Sequence, residues 1–147
     1  MSPRICVQAE DFDGAAEIAR LERAGGGAVA GFTGLVRGDG GLVTLELEHY
    51  PAMTQTALSA LAKSIARRWP LAGLTLIHRF GKLVPGDRIV FVGAASAHRH
   101  EAIAAMHFAI DWLKTDAPFW KCETFSDGRQ RWIDASRADA ERRDRWS

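Results

Sequence analysis

The stretch from Ser96 to Phe125, SAHRHEAIAAMHFAIDWLKTDAPFWKCETF, constrains the fold most, because its side-chain period changes from helical to extended between two lysines, Lys114 and Lys121. Ile103, Met106, Ile110 and Leu113 recur at spacings of three and four, with Ala102, Ala105 and Ala109 beside them. That pattern predicts a helix with one apolar face, and His100, His107, Asp111 and Lys114 lie off the stripe. Ser96 reads as an N-cap and Pro118 as a stop, so the helix is expected from about Ala97 to about Lys114. Phe119 to Phe125 then alternates as a strand, which puts Phe119, Lys121, Glu123 and Phe125 on one face.

Both ends of this helix carry candidate chemistry. His98 and Arg99 place donors where the macrodipole is already positive, the wrong sign for helix stability alone. An anion held by the first-turn N–H groups, the guanidinium and the imidazole would resolve the conflict. Pairing of Arg99 with a nearby acid, with His98 as a surface cap, accounts for the same residues equally well. Lys121, partly buried between aromatics with Glu123 adjacent and Lys114 near, has the competing influences that tune a proton donor or nucleophile. A cross-strand salt bridge at a sheet edge is the plainer alternative. A third reading makes His107 and Asp111, spaced i,i+4, metal ligands of a hydrolase with His100 or His98 as a third donor, although no H-E-x-x-H pattern supports it. A fourth is a non-catalytic module that holds a peptide tail.

Composition removes several classes. A chain of 147 residues, 47% hydrophobic and 25% charged, is sized for one domain with a substantial core. A formal net charge of +1 argues against a general nucleic-acid binder, so any anion site must be local. Cys6 and Cys122 stand far apart in no metal-ligand spacing, which suggests neither a disulfide framework nor a structural zinc site. No stretch approaches a membrane span, and the start, MSPRICVQAEDF, lacks a signal-peptide core. A soluble cytoplasmic protein is expected.

Along the chain, Arg4 to Gln8 alternates as a strand. Asp13 to Ala24 reads as a helix with Ala16, Ile18, Ala19 and Leu21 inward, stopped by Gly25-Gly26-Gly27. That run fits a loose dinucleotide fingerprint, but it follows a helix and enters a strand, the reverse of a phosphate-binding turn. Ala28 to Val36 and Leu42 to Tyr50 read as two strands of a hairpin, with Arg37-Gly38-Asp39-Gly40-Gly41 at its tip. A helix is expected from about Thr54 to Trp69, with Leu58, Leu61 and Ile65 on one face. Strands follow at Leu74 to Phe80 and Arg88 to Ala95, with a turn at Pro85-Gly86-Asp87 between them. Arg131 to Asp134 reads as a last strand, and Ala138 to Trp146 as a charged helix or tail. His49 and Tyr50 are expected to pack at a strand end. Irregular alternation of helices and strands with hairpin signals predicts an α+β fold with a mainly antiparallel sheet in a single domain, residues 1–147.

The blocks GFTGLVRG, LELEHYPAM, RWPL, IHRFGKLVPGD, RIVFVGAASAHR and SAHRHEAIAAMHFAIDWLKTDAPFWKCE, in this order, closely resemble the catalytic (large) subunits of molybdopterin synthases, from about Val29 to Trp132. The resemblance implies an α/β hammerhead fold. It implies transfer of two sulfurs to cyclic pyranopterin monophosphate, forming the dithiolene of molybdopterin. The sulfur would come from a thiocarboxylate on the C-terminal Gly-Gly of a small ubiquitin-like subunit, without metal or other cofactor. It further implies a homodimer of the large subunit with one small subunit at each end, a heterotetramer. Catalytic roles would fall to Lys114 and Lys121, and substrate binding to Arg37, His98, Arg99 and both lysines, with Glu123 orienting Lys121. Leu35 stands where the family often carries a second basic residue. Ser136 stands where an arginine can reach the neighbouring subunit's pocket, with Arg137 next to it.

Overall fold

A computed structural model describes residues 1–133. Its central strand is β6 (Arg88–Ser96). Successive side chains point to opposite faces, so Val90, Val92 and Ala94 line one side and Phe91, Gly93 and Ala95 the other. Residues from both faces are buried, and the strand must therefore be covered on both sides. β2 (Ala28–Leu35) and β4 (Leu71–Arg79) flank it, both antiparallel. β1 (Arg4–Gln8) adds to β4 in parallel, giving the order β1-β4-β6-β2.

On one face, α1 (Gly14–Arg23) packs Leu21 with Phe12, Ile77, Phe91 and Ala95. On the other, α2 (Pro51–Arg68) and α3 (Arg99–Thr115) enclose Leu74, Leu76, Val92 and Ala94. Complete removal of such aliphatic side chains from water is worth about 1.5–3 kcal/mol each. A second sheet, β5-β3-β7-β8, is antiparallel throughout and comprises β3 (Leu42–His49), β5 (Gly81–Leu83), β7 (Phe119–Phe125) and β8 (Gln130–Ile133). Its inward face buries Leu45, Leu47 and Leu83 with Val36 and Leu42. The described residues thus form one α+β domain of three helices and two mostly antiparallel sheets. No helix among them is long and apolar enough to cross a membrane.

Several local expectations need correction. β2 and β3 are not a hairpin, because β2 pairs with β6 while β3 pairs with β5 and β7. Val36 is buried in the second sheet's core, which carries the chain from one sheet to the other. Ser96 does not cap α3, since it ends β6 and its Oγ donates to Pro70 O at 2.8 Å. His98 is the N-cap, with no capping side-chain bond.

The most deeply buried positions of α3 are Ala102, Ala105 and Ala109, with Phe108 and Asp111, whereas Ile103 is 52% exposed. Small side chains let the helix axis approach the sheet, so the alanines outrank the larger residues in burial. In α1, Glu17 is buried and Ala16 exposed; Asp13 is the N-cap, accepting from Ala15 N and Ala16 N. Two charge-assisted bonds from Arg4, at 2.9 and 3.2 Å, make the burial of Glu17 tolerable. The Gly25-Gly26-Gly27 run returns the chain from α1 into β2, and Gly27 N donates to Ser96 O at 2.8 Å. The charged tail from Ala138 to Trp146 lies outside the described residues.

α1 depends on two glycines paired across strands, Gly31 and Gly93. A Cβ on Gly31 would stand 2.4 Å from Ile18 Cδ1, and one on Gly93 2.4 Å from Leu21 Cδ1. Leu21 is buried and cannot swing away without displacing the helix. Gly93→Ala should lower unfolding free energy by about 1–3 kcal/mol, read from a denaturant midpoint at unchanged slope. A midpoint equal to wild type would show that α1 shifts without loss.

Candidate active site

The two sheets meet at a seam of rings. His78, near the end of β4, stacks on Phe119 at the start of β7, with centroids 3.9 Å apart and planes 15° apart. His49 at the end of β3 packs between Phe119 (5.4 Å) and Phe80 (4.6 Å). Thr54, fully buried in the first turn of α2, donates its hydroxyl proton to Tyr50 O at 3.1 Å. Its Oγ1 is then free to accept from His49 Nδ1 at 2.9 Å. His49 and Tyr50 therefore pack at a strand end as expected, with Tyr50 edge-on to Trp120.

His78 Nδ1 lies 2.8 Å from Arg79 O. A carbonyl oxygen only accepts, so Nδ1 carries the proton and the neutral ring presents Nε2 as an acceptor. Burial holds the imidazole well below its usual value, at about 4; the Arg79 hydrogen bond opposes this, and the charges of Lys121, His49 and Lys114 add to it.

Beside the seam lies a cavity of about 400 Å³ between β7, β2, β6 and the carboxyl end of α3. Phe32, Val92, Ile110 and Leu113 make its walls apolar, while Arg37, Lys114, Lys121 and His78 supply polar groups. An apolar cleft with a few convergent polar groups is the common form of a small-molecule site. Lys121 points inward because its strand partners Leu47, and Leu47 belongs to the buried face of the second sheet. Its pKa is lowered, first by burial and then by the charge of Lys114, against a smaller opposing effect of Glu123. Lys114 reaches the same cavity from the last turn of α3. Arg37 stands at the mouth, largely exposed and 3.1 Å from Asp39.

The other expected residues fall elsewhere. Glu123 is adjacent along β7, but its Oε1 is held by Arg131 at 2.6 and 2.9 Å, so it influences Lys121 only through space. It lines a neighbouring polar groove with Arg129 and Arg131, which meets the lysine cavity at Arg37. His98 and Arg99 lie in a separate surface groove with Trp69, His100 and His107. Arg99 and Lys114 are 15 residues apart on one helix, about 22 Å along its axis. Within one chain the His98–Arg99 pair and the lysine cavity therefore do not meet.

His107 Nε2 faces Asp111 Oδ2 at 3.4 Å across one turn of α3. No group of three or more potential metal ligands is gathered among the described residues, which leaves the hydrolase reading without its donor set. Leu35 lines the cavity as an exposed apolar side chain. Ser136 and Arg137 lie outside the described residues.

Residues 7–116 match the family described as MoaE protein. The molybdopterin synthase catalytic subunit of Brucella melitensis is 52% identical over 146 residues, covering 97% of this chain and 90% of the relative. The chain belongs to the MoaE family. It is accordingly a molybdopterin synthase catalytic subunit, a sulfurtransferase of molybdenum cofactor biosynthesis. Among solved structures, the molybdopterin biosynthesis MoaE protein of Burkholderia ambifaria is similar at a TM-score of 0.85 and 44% identity, over 99% of this chain and 98% of that one. A structure of the protein–protein complex of subunits 1 and 2 of the Helicobacter pylori molybdopterin-converting factor shares the fold. Its TM-score is 0.69 at 22% identity, over 91% of this chain and 90% of that one.

The residue that sequence reasoning passed over is His78. Strand alternation places it on the face of Leu74 and Leu76, both buried, which was a readable sign of an interior histidine. Because the folded state keeps the ring neutral to about 4 while an unfolded histidine takes its proton near 6.5, the unfolded chain binds more protons between those values. Stability should therefore fall as pH drops through that window. Relative to His78→Gln, wild type should lose roughly 3 kcal/mol more between pH 7 and 4, read from parallel denaturant titrations. Equal losses in the two proteins would remove His78 as the source of the acid sensitivity.

Proposed function

We propose that the lysine cavity is where sulfur passes from the thiocarboxylate tail of a small ubiquitin-like subunit to cyclic pyranopterin monophosphate. The observation that carries this reading is the convergence of Lys114 and Lys121, from different elements, on one apolar cavity with Arg37 at its mouth. An extended Gly-Gly tail is narrow enough to enter a cleft beside a small substrate. In each of two rounds the thiocarboxylate sulfur bonds to a substrate carbon as a carbon–oxygen bond at that carbon breaks, the oxygen leaving as water or on phosphate. Water then attacks the carbonyl carbon of the resulting thioester, the bond from that carbon to sulfur breaks, and the tail departs as a carboxylate while the sulfur stays on the substrate. Charge builds on oxygen and sulfur in these steps. Lys121, largely withdrawn from water, stabilises it more strongly than it would in water, with the exposed Lys114 adding its charge from the cavity edge. Lys121, its pKa lowered by burial, gives up a proton more readily than an ordinary lysine, and Lys114 stands beside it.

Arg37, His98 and Arg99 are assigned to the substrate's phosphate and pterin, and Glu123 acts as a partner of Arg131 that tempers the charge near Lys121. Because His98 and Arg99 lie at the far end of α3, they can serve the same substrate only from a second copy of the chain. The working assembly is therefore a homodimer with a small subunit on each copy, in the cytoplasm, with no metal or nucleotide required for transfer.

Lys121→Ala should abolish dithiolene formation while leaving folding and small-subunit binding intact; near-normal turnover would remove this lysine from the mechanism. Arg99→Ala should weaken substrate affinity, and unchanged affinity would reject its role. Mixed dimers of these two variants test the shared site. One of the two sites would carry both defects and the other none, so such dimers should recover about half of wild-type activity, following the symmetry of a two-fold interface. Activity no higher than the mean of the two parent variants would place each complete site within one copy.

A further inference from the structure

We propose that His78 is a further substrate-contacting residue, its Nε2 accepting a hydrogen bond from an N–H or O–H of the heterocycle bound in the lysine cavity. This inference rests on the pterin sulfur-transfer reading above and adds a contact to it. His78 is only 6% exposed, yet it lines the cavity. Its Nδ1 is committed to Arg79 O, its ring is clamped against Phe119, and Nε2 has no hydrogen-bond partner among the described residues. An imidazole with one nitrogen anchored, one face stacked and the other nitrogen unmatched is an oriented acceptor awaiting a donor. Nε2 is not among the side-chain atoms sealed from solvent without a partner, so it opens on the cavity and a bound donor can reach it.

Side-chain acceptors are scarce in the cavity. Arg37, Lys114 and Lys121 donate and cannot accept. Among the side chains lining the cavity, only the Thr33 hydroxyl and the His78 ring offer an acceptor. A reduced pterin carries ring N–H and amino groups as well as oxygens, so a site made only of donors would leave its N–H groups unpaired. A carboxylate could accept, but beside two ammonium groups it would pair with them and cancel the charge needed for the phosphate. A neutral imidazole accepts without competing. Burial keeps it neutral, and the charges of Lys121 and Lys114 add to that effect. The stack on Phe119 also ties the acceptor to β7, two residues before Lys121, so both groups move with the same strand.

The test compares full-length His78→Phe, His78→Gln and His78→Asn with wild type. Each is assembled with the small subunit and titrated anaerobically with cyclic pyranopterin monophosphate, after thermal unfolding and small-subunit binding have been measured. Phe keeps an aromatic ring for the stack and removes both nitrogens. Gln offers an amide near the ε position, whereas Asn reaches only the δ position and can satisfy Arg79 O. Loss of one buried hydrogen bond should weaken substrate binding about 10- to 100-fold in His78→Phe, with kcat/KM falling at least as far. His78→Gln should bind about tenfold more tightly than His78→Asn. A folded His78→Phe with wild-type affinity would overturn the proposal. If that variant does not fold, equal affinities of the Gln and Asn variants would overturn it instead. Absence of pterin binding by wild type would sink the sulfur-transfer reading and this contact with it, an outcome distinct from normal binding by every variant.

Discussion

The contact between His78 and Phe119 is the joint on which the rest of the molecule depends. One ring belongs to the sheet sandwiched by helices and the other to the wholly antiparallel sheet, each of four strands, and their stacking joins the two. His49 and Phe80 extend the seam, and the bond from His49 to Thr54 fastens it to the first turn of α2. A cavity between two sheets keeps its shape only if the sheets keep their relative position. A neutral histidine suits such a joint, because it stacks like a hydrocarbon ring while its Nδ1–H stays satisfied at the Arg79 carbonyl.

Beside that joint the protein places a cation, Lys121, where water is scarce. Lys121 is turned inward by the same alternation that buries Leu45 and Leu47 on the neighbouring strand. The nearby carboxylate that could have neutralised it, Glu123, is engaged by Arg131 on β8. Lys114 is delivered by a helix whose alanines allow close approach to the sheet. The result is concentrated positive charge in an apolar pocket, within a chain whose overall net charge is only +1. An anion bound there would relieve that repulsion, and the desolvation that lowers the Lys121 pKa would also strengthen its field on such a group.

α3 has a different task at each end. Its carboxyl end supplies Lys114 to the cavity, while its amino end, uncapped by any side chain at His98, offers first-turn N–H groups beside Arg99. Glu101 in that first turn meets the dipole in part. A rigid helix holds these two features apart, so assembly between copies, not folding within one, is what can unite them.

Much of this was legible in the residues. The helix-to-strand change around Pro118, the α+β class, the inward lysine at Lys121 and the family all follow from spacing and from unusual blocks in a fixed order. Local periodicity reports which side of an element is apolar, because it depends only on backbone geometry. It does not report which element covers that side. Thus Ala28–Val36 and Leu42–Tyr50 read as a hairpin although they enter different sheets, and Ile103 reads as core although the alanines beside it take the packed position. Likewise Glu123 reads as the partner of Lys121 until β8 brings Arg131 to it. The sequence by itself determined the elements, their faces and the chemical types available. Only the tertiary structure decided that Lys114, Lys121, Arg37 and His78 share one cavity while His98 and Arg99 do not, since that depends on distances set by packing between elements far apart in the chain.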